Sequence, residues 1–572
     1  MLLQRLKEYA DERMELPPPL YSETVVRYIV ELDPGGVLLN PRPIDTADPS
    51  SPRTRRGERY LMPQVQRTSG VKPLLVTDKP DYTLGFVGDG AKPERVAACH
   101  QAYRSLLRRC AEATRAPELW AILRFLDSGP LDQLHLPDDF DPSALLTFRV
   151  GERFPTDLPA VRAFWANEND PAAVGATVMQ CVVCGQQRPV LERLQGKVKR
   201  IPGGQTSGTS IISANANAFE SYGLEASLVA PTCADCGERF TKALNELIDS
   251  ETNRVFLGDL VVVCWTREAT GFNFLTFLDD PSTNEVQALF ASVARGGPLP
   301  EVDDTAFYAV ALSASGGRAV VRDWIDTTVG VVKANLRDWF ERQAIADDRG
   351  GPSTPLSAYW LARATVRDAQ DLRPNIPRAL IRTALTGTPL PLGLLYQAVR
   401  RNRAEQKVTR QRAALIKLVL LSNHPSYQEW IMADLNLNNP EPAYQYGRLL
   451  AVLAEIQRAA IGKASVIDRF YGTASSAPAA VFGRLLRGAQ PHLAKLERDR
   501  PGVATALQRR LEEVMRKIDG FYPTLTLEQQ GLFALGFYHQ RAHDRAQIQA
   551  AVERKRAGSA NPDETDLADI AE

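Results

Sequence analysis

Phe307-Tyr308-Ala309-Val310-Ala311-Leu312, then Ser313-Ala314-Ser315-Gly316-Gly317, then Arg318-Ala319-Val320-Val321-Arg322-Asp323-Trp324, reads as a β-hairpin. Two β-branched and aromatic runs flank a break of small residues that supply the backbone freedom a tight turn needs. Upstream, Leu260-Val261-Val262-Val263-Cys264-Trp265 is another strand-like run. Beyond about residue 335 the period changes. Leu449, Val452, Leu453, Ile456 and Ala460 recur at i, i+3, i+4 spacing, and Val481, Leu485 and Leu486 begin a second stripe. Strands therefore give way to helices, and the fold class is α+β: mixed N-terminal and middle regions followed by an all-α C-terminal helical bundle.

Working outward, residues 2–13 predict a short amphipathic helix with Leu3, Leu6 and Ala10 on one face. Tyr21–Leu39 is β-rich and broken by the turn Asp33-Pro34-Gly35-Gly36. Residues 41–59 are polar, carry four prolines and then Arg53, Arg55, Arg56 and Arg59, and predict a basic loop. Strands are expected at Leu74–Thr77 and Tyr82–Phe86, and a helix over Glu94–Ala113. Residues 557–572 hold five acids and no aromatic residue, a composition that predicts a disordered tail. The expected organisation is an N-terminal α+β domain (1–150), an α+β domain holding the cysteine pairs (151–335), a basic helical region (336–431), a helical bundle (432–556) and the acidic tail (557–572).

Composition narrows the function classes. A chain of 572 residues is long enough for roughly three or four domains. Lys+Arg and Asp+Glu both number 68, which excludes a histone-like polycation but not local basic patches. No apolar run reaches the roughly 18–20 residues of a membrane span. Lys7, Glu8, Asp11 and Glu12 stand where a signal peptide needs an uncharged segment, so a cytoplasmic protein is expected. Seven cysteines make no secreted disulfide framework, and four of them form two close pairs.

Those pairs are Cys181-Val182-Val183-Cys184-Gly185 and Cys233-Ala234-Asp235-Cys236-Gly237. Two thiolates at C-x-x-C spacing converge on one metal, and four soft ligands predict closed, structural, tetrahedral zinc. Between them, Gly203 to Gly208 has the spacing of a phosphate loop, but Thr209 stands where the lysine must be, so an NTPase site is not expected. What remains is a Gly/Ser/Thr loop preceded by Lys197, Lys199 and Arg200, suited to approach a nucleic-acid backbone. From 400 to 417, Arg400, Arg401, Arg403, Lys407, Arg410, Arg412 and Lys417 face only Glu405, an excess of +6 that favours a phosphate backbone over a merely solvated face. Hydrolytic signals are poor: six histidines, no GxSxG and no HExxH, with His543-Asp544 the one HD dipeptide. The chain is not expected to be an enzyme.

Several segments together resemble the large subunit of the subtype I-C (Dvulg-type) CRISPR surveillance complex, Cascade, over nearly the whole length. They are Met1-Leu2-Leu3-Gln4 through Tyr9; Arg67-Thr68-Ser69-Gly70-Val71-Lys72-Pro73 with Asp81–Gly85; Gly204–Gly208 through Asn215–Gly223; Phe307-Tyr308 with Val321–Trp324; Asp468–Gly472; and Leu527–Gln540. The resemblance implies a non-catalytic subunit that sits with CRISPR RNA and the backbone and cap subunits. It further implies that the subunit binds the protospacer-adjacent motif in double-stranded DNA, aids duplex opening at the R-loop and recruits a helicase–nuclease. Small loops carrying Gln, Asn, Ser and Lys suit a shallow minor groove. The expected contacts are Arg67, Ser69 and Lys72 in one loop and Gln205, Ser207 and Asn215 in another, with Arg400, Arg401, Arg403 and Lys407 on nucleic-acid backbone. The resemblance also implies a separate small subunit from an internal start; Met432 would give a product of 141 residues. Zinc at Cys181, Cys184, Cys233 and Cys236 rests on spacing and not on the resemblance. Two other readings stay open at this point: a stand-alone HD-type metal-dependent nuclease using His543 and Asp544, and a zinc-stapled protein-binding scaffold.

Overall fold

The structure is a computed structural model, and it describes residues 1–15, 18, 20–48, 50, 56–65, 70–169, 177–194, 196–214, 216–270, 273–287, 304–347 and 353–556. The chain folds into two compact units: 1–198 with 210–245, and 199–209 with 246–572. Mixed α+β architecture followed by helices is what the change of period at 335 predicts.

In the first unit, β1 (Tyr21–Val26) pairs antiparallel with β4 (Glu58–Pro63). The three-stranded sheet has β2 (Tyr28–Leu32) at its centre, antiparallel to β3 (Ile44–Asp45) and parallel to β5 (Leu146–Val150). Helices Pro93–Thr114, Pro117–Asp127 and Pro159–Glu168 all open on proline. That first position needs no N–H partner and suits proline's fixed φ. Their apolar stripes (Leu106, Leu107, Ile122, Phe125, Trp165) share one core with Tyr28, Val30 and Phe148. The N-terminal helix is Leu2–Arg13; of the expected face it buries Leu6 and Ala10 and leaves Leu3 half-buried.

Two strand expectations fail here. Pro80–Thr83 is a turn of helix, and Leu74–Thr77 is irregular apart from a bridge between Asp78 and Leu146. Val76 sits at φ +65°, which ends extended backbone, and the buried Asp78 carboxylate accepts the Leu74 and Lys79 N–H groups at 2.7 and 2.8 Å. A β-branched residue in the left-handed region is strained, and the Asp78 turn together with Tyr103, whose hydroxyl donates to the Val76 carbonyl at 2.7 Å, holds it there.

The second unit contains a four-stranded antiparallel sheet in which neighbours in sequence are neighbours in space. Its strands are β8 (Arg254–Leu257), β9 (Leu260–Thr266), β10 (Ala306–Ser315) and β11 (Arg318–Thr328). The hairpin of β10 and β11 is longer than its sequence suggested: only Gly316 and Gly317 form the turn, with Gly316 at φ +59° and Ser315 paired to Arg318. Val262, Cys264, Ala309, Ala311 and Ile325 belong to a core with Val332, Leu336 and Phe340 of helix Val329–Gln343. On the alternate positions, Tyr308 and Trp324 stack at 5.9 Å and Trp265 lies 5.5 Å from Tyr308.

Beyond it, helices Arg410–Asn423 and Pro442–Ile461 are buried on nearly every side, which explains why their apolar stripes are wide. Helix Leu527–Arg556 crosses Pro442–Ile461 with backbone against backbone. A Cβ on Gly447 would lie 2.0 Å from the Phe533 carbonyl oxygen, and one on Gly536 2.0 Å from that of Tyr444. No helix of the described residues is long and apolar enough to cross a membrane.

Between these two helices, the Tyr444 hydroxyl accepts the Asn436 N–H at 3.3 Å and is hydrogen-bonded to Nδ1 of the buried His539 at 2.9 Å. Nε2 of His539 has no hydrogen-bond partner among the described residues. Burial, helped by the nearby Lys417 charge, pushes the His539 pKa from 6.5 down to about 3. The native state therefore refuses a proton that the unfolded chain takes up. Stability is full above pH 6.5 and falls as pH drops towards 3, by up to about 1.4 kcal/mol per pH unit. His539→Asn is expected to flatten this acid limb when urea midpoints are compared at pH 7 and 5. An unchanged difference between the two would exclude His539 as its source.

Candidate nucleic-acid interface and metal centre

The loop 199–209 belongs to the second unit although the residues on either side of it belong to the first. Two turns shape it: Gly204 N–H donates to the Ile201 carbonyl at 3.0 Å, and Gly208 N–H to that of Gln205 at 2.9 Å. Gly203 and Gly208 have φ of +74° and +98°, values that glycine alone adopts without strain. Gly204 bridges to Gly316, so the loop rests on the hairpin turn, and a Cβ at Gly204 would lie 2.7 Å from Thr209 Cγ2 and 3.3 Å from Ala314 Cβ. The Gln205 amide lies beside Gly317, while Gln205, Thr206 and Ser207 are exposed. Lys199 and Arg200 are exposed at the loop's base, and Arg200 pairs with Asp249 at 2.7 Å. This is a backbone braced by a sheet with exposed polar side chains, Gln205 resting on the turn, an arrangement by which short loops present donors and acceptors to a groove.

Of the other expected contacts, Lys72 is exposed on the segment that the Asp78 turn ties down. Arg67, Ser69 and Asn215 lie outside the described residues. Sequence reasoning did not single out Tyr222, which is fully exposed and held at φ +55°.

The basic stretch divides into two groups. Arg400, Arg403 and Lys407 are exposed on or just past helix Leu392–Glu405. Arg401 and Arg412 both pair with Glu405, and together they hold its carboxyl below the usual range against the opposing effect of burial. Arg412 is buried, and Lys417 is buried too, donating at 2.7 Å to the Ala344 carbonyl beyond helix Val329–Gln343. Burial lowers the Lys417 pKa to about 8. Half the local excess is thus spent on folding, which a count of charges along the chain could not reveal.

His543 and Asp544 face helix neighbours. Asp544 accepts from Gln540 at 2.9 Å and pairs with Arg510 at 3.2 Å, and burial raises its pKa to about 6 against the Arg510 charge. Nε2 of His543 lies 2.8 Å from the Gln547 amide nitrogen. Neither belongs to a group of potential metal ligands among the described residues; the group found there is Cys181, Cys184, Cys233 and Cys236.

Those four Sγ atoms all lie within 4.8 Å of one another, compatible with the roughly 3.8 Å that a tetrahedral zinc–sulfur site sets between ligands. The first knuckle sits on a hairpin of β6 (Val178–Gln180) and β7 (Gln187–Pro189), turning at Gly185 with φ +73°. The second opens helix Ala234–Asp249. Between them the chain returns to its starting place: Val182 N–H donates to the Pro231 carbonyl at 2.8 Å, Leu191 N–H to that of Thr232 at 3.1 Å, and Val190 bridges Cys233. The long separation of the pairs is therefore no obstacle. Gly237 serves a different purpose from Gly185, since a Cβ there would lie 2.8 Å from Leu194 Cδ2. Burial raises the Cys181 thiol, but N–H donors from Cys184, Cys233 and Val183 bring it down to about 7, while burial pushes Cys233 and Cys236 up. The four-cysteine cluster can hold a metal ion.

No curated protein matches this sequence. The family model described as CRISPR-associated protein (Cas_Csd1) matches residues 2–544, from the N-terminal helix to the HD dipeptide. A match over that span takes in the braced loop, the hairpin beneath it, the cysteine cluster and the crossed helices alike, and by it the chain belongs to the Cas_Csd1 family of CRISPR-associated proteins.

Proposed function

We propose that the protein is the non-catalytic large subunit of a type I-C surveillance complex. In this reading it recognises the protospacer-adjacent motif in double-stranded DNA, aids opening of the duplex and recruits a helicase–nuclease. The family match across residues 2–544 carries the reading. The exposed Gln205, Thr206 and Ser207 on a sheet-braced loop support it, because guide pairing leaves the protein only a short motif to read. The internal bonding of Asp544 and His543 to neighbours on their own helix favours it over an HD nuclease.

Gln205 and Ser207, with Arg67, Ser69, Lys72 and Asn215, contact the motif, and Arg400, Arg403 and Lys407 approach backbone, while Arg401 is held by Glu405. The ion at the four cysteines is structural zinc. In a complex assembled with CRISPR RNA, the pair Gln205→Ala and Ser207→Ala is expected to weaken motif-dependent DNA binding about tenfold or more, while non-specific binding holds. Unchanged discrimination between motif and scrambled duplex would overturn the assignment. Lys72→Ala removes a charge as well as a motif contact, so every duplex should bind more weakly, the motif duplex most, and the salt slope should fall by about one.

The partners are CRISPR RNA, backbone and cap subunits, and a small subunit begun at Met432. Met432 is half exposed and precedes helix Pro442–Ile461, so a start there keeps the crossed helices together. Expression from the intact gene should yield a second, co-purifying polypeptide of 141 residues. Its persistence after the Met432 codon is replaced by one for leucine would refute this start.

A further inference from the structure

A cleft of about 460 Å³ opens between the end of helix Leu392–Glu405, helix Ser465–Ala474 and the C-terminal helix Leu527–Arg556. Its floor carries a small apolar patch of Val408, Ile467, Phe537 and Ala542, all nearly buried, within a mostly polar lining. Lys407, Arg541 and Arg545 supply its cations, against Glu405 and Asp468. Glu405 is already paired with both Arg401 and Arg412, so it opposes an incoming anion weakly. Arg541 lies over the Phe537 ring, 5.3 Å from its centroid. An apolar patch under a cationic rim fits an acidic segment that also carries aliphatic side chains.

The chain holds one such segment. Asp563, Glu564, Asp566, Asp569 and Glu572 accompany Leu567 and Ile570, with no Lys or Arg from 557 to 572. Leu567 and Ile570 are three apart, the spacing that places two side chains on one face of a helix, and Glu564 and Asp566 would flank that face. The segment follows directly on Arg556, the end of the helix that forms one wall of the cleft. From Arg556 back to Arg545 is roughly 17 Å along the helix axis. About five extended residues cover that distance, so everything from Asp563 onward can reach the cleft.

We propose that this cleft is the docking site of the chain's own acidic segment 557–572, seated by Leu567 and Ile570 on the apolar patch and by its carboxylates on Lys407, Arg541 and Arg545.

The test uses a fluorescein-labelled peptide of residues 557–572 and the full chain in which the five acids are replaced by Asn or Gln. The labelled peptide should bind this chain, and raising salt from about 50 to 500 mM should weaken binding at least tenfold. The unaltered chain, whose cleft is occupied in cis, should bind the peptide at least several-fold more weakly. In the neutralised chain, the pair Lys407→Glu and Arg545→Glu should abolish binding while the thermal melt stays put; Lys407→Gln, which places no like charge against the segment, should weaken it several-fold. No binding at low salt overturns the proposal. So does equal binding by both chains, or binding that survives charge reversal, which would place the peptide on Arg554–Arg556 instead.

Discussion

Gly447→Ala is expected to destabilise the helical unit by about 3 kcal/mol or more, whereas Gly488→Ala, the same change in another helix of that unit, should be neutral or stabilise by up to about 1 kcal/mol. The opposite signs follow from what each new methyl meets. At Gly488 nothing lies within 4 Å, so alanine only removes the conformational entropy glycine loses on entering a helix. At Gly447 the methyl would lie 2.0 Å from the Phe533 carbonyl oxygen and 2.7 Å from the Phe537 nitrogen. Carbon normally keeps about 3.3–3.6 Å from such an oxygen. The two helix axes must separate by more than an ångström, because the obstruction is backbone and not the end of a flexible side chain.

That separation would spread. The buried Arg448 reaches from helix Pro442–Ile461 to Gln540 at 2.9 Å and to Glu513 at 2.8 Å, and the Tyr444–His539 bond bridges the same pair of helices. Moving the helices apart strips partners from buried polar groups, each costing about 1–3 kcal/mol when left unsatisfied. Gly536→Ala meets the Tyr444 carbonyl in the same way and should match Gly447→Ala. Denaturant unfolding of the two variants beside Gly488→Ala decides the matter. If all three melt alike, direct backbone contact does not hold this crossing.

How much of this was legible differs from place to place. Continuous runs such as Leu260–Trp265 and the two arms around Gly316-Gly317 could be read because both period and turn chemistry are local properties. Leu74–Thr77 looked like a strand for the same reason, yet a single side chain, Asp78, folds its backbone into a turn. Propensity does not register which backbone N–H groups a neighbouring carboxylate will gather. The crossed helices left only a faint trace, glycines inside apolar helical runs, which elsewhere in this chain mean nothing of the kind, as Gly488 illustrates. In the candidate site, glycine spacing exposed the loop 203–208, but its bracing by the hairpin turn more than 100 residues away is a contact no local pattern encodes. The basic stretch misled in part, since Arg412 and Lys417 have the same composition as Arg400 and Arg403 and the opposite orientation.

The cysteine pairs were legible because metal chemistry constrains spacing directly, and they support the second large expectation. Cys181→Ser should remove the bound ion, zinc in our reading, and melt the segment from β6 to the start of helix Ala234–Asp249. The magnitude follows from what else holds that segment. β6 and β7 are three residues each, and the links back to 231–233 are a few backbone bonds, each worth about 1 kcal/mol net. Structural zinc contributes roughly 10–16 kcal/mol in small metal-bound domains, more than such a hairpin could supply by itself. Cys110→Ser, a buried thiol outside the cluster, is the control and should cost only the penalty of one hydroxyl in an apolar setting. Metal analysis should find one zinc per chain, absent from Cys181→Ser, and proteolysis should then cut between residues 177 and 233 in that variant alone. A metal-free parent whose melting matches that of Cys181→Ser would refute the metal centre. Loss of zinc without new cleavage would mean that the hairpin and the 231–233 segment hold each other without it, and that the ion is bound by a structure already formed.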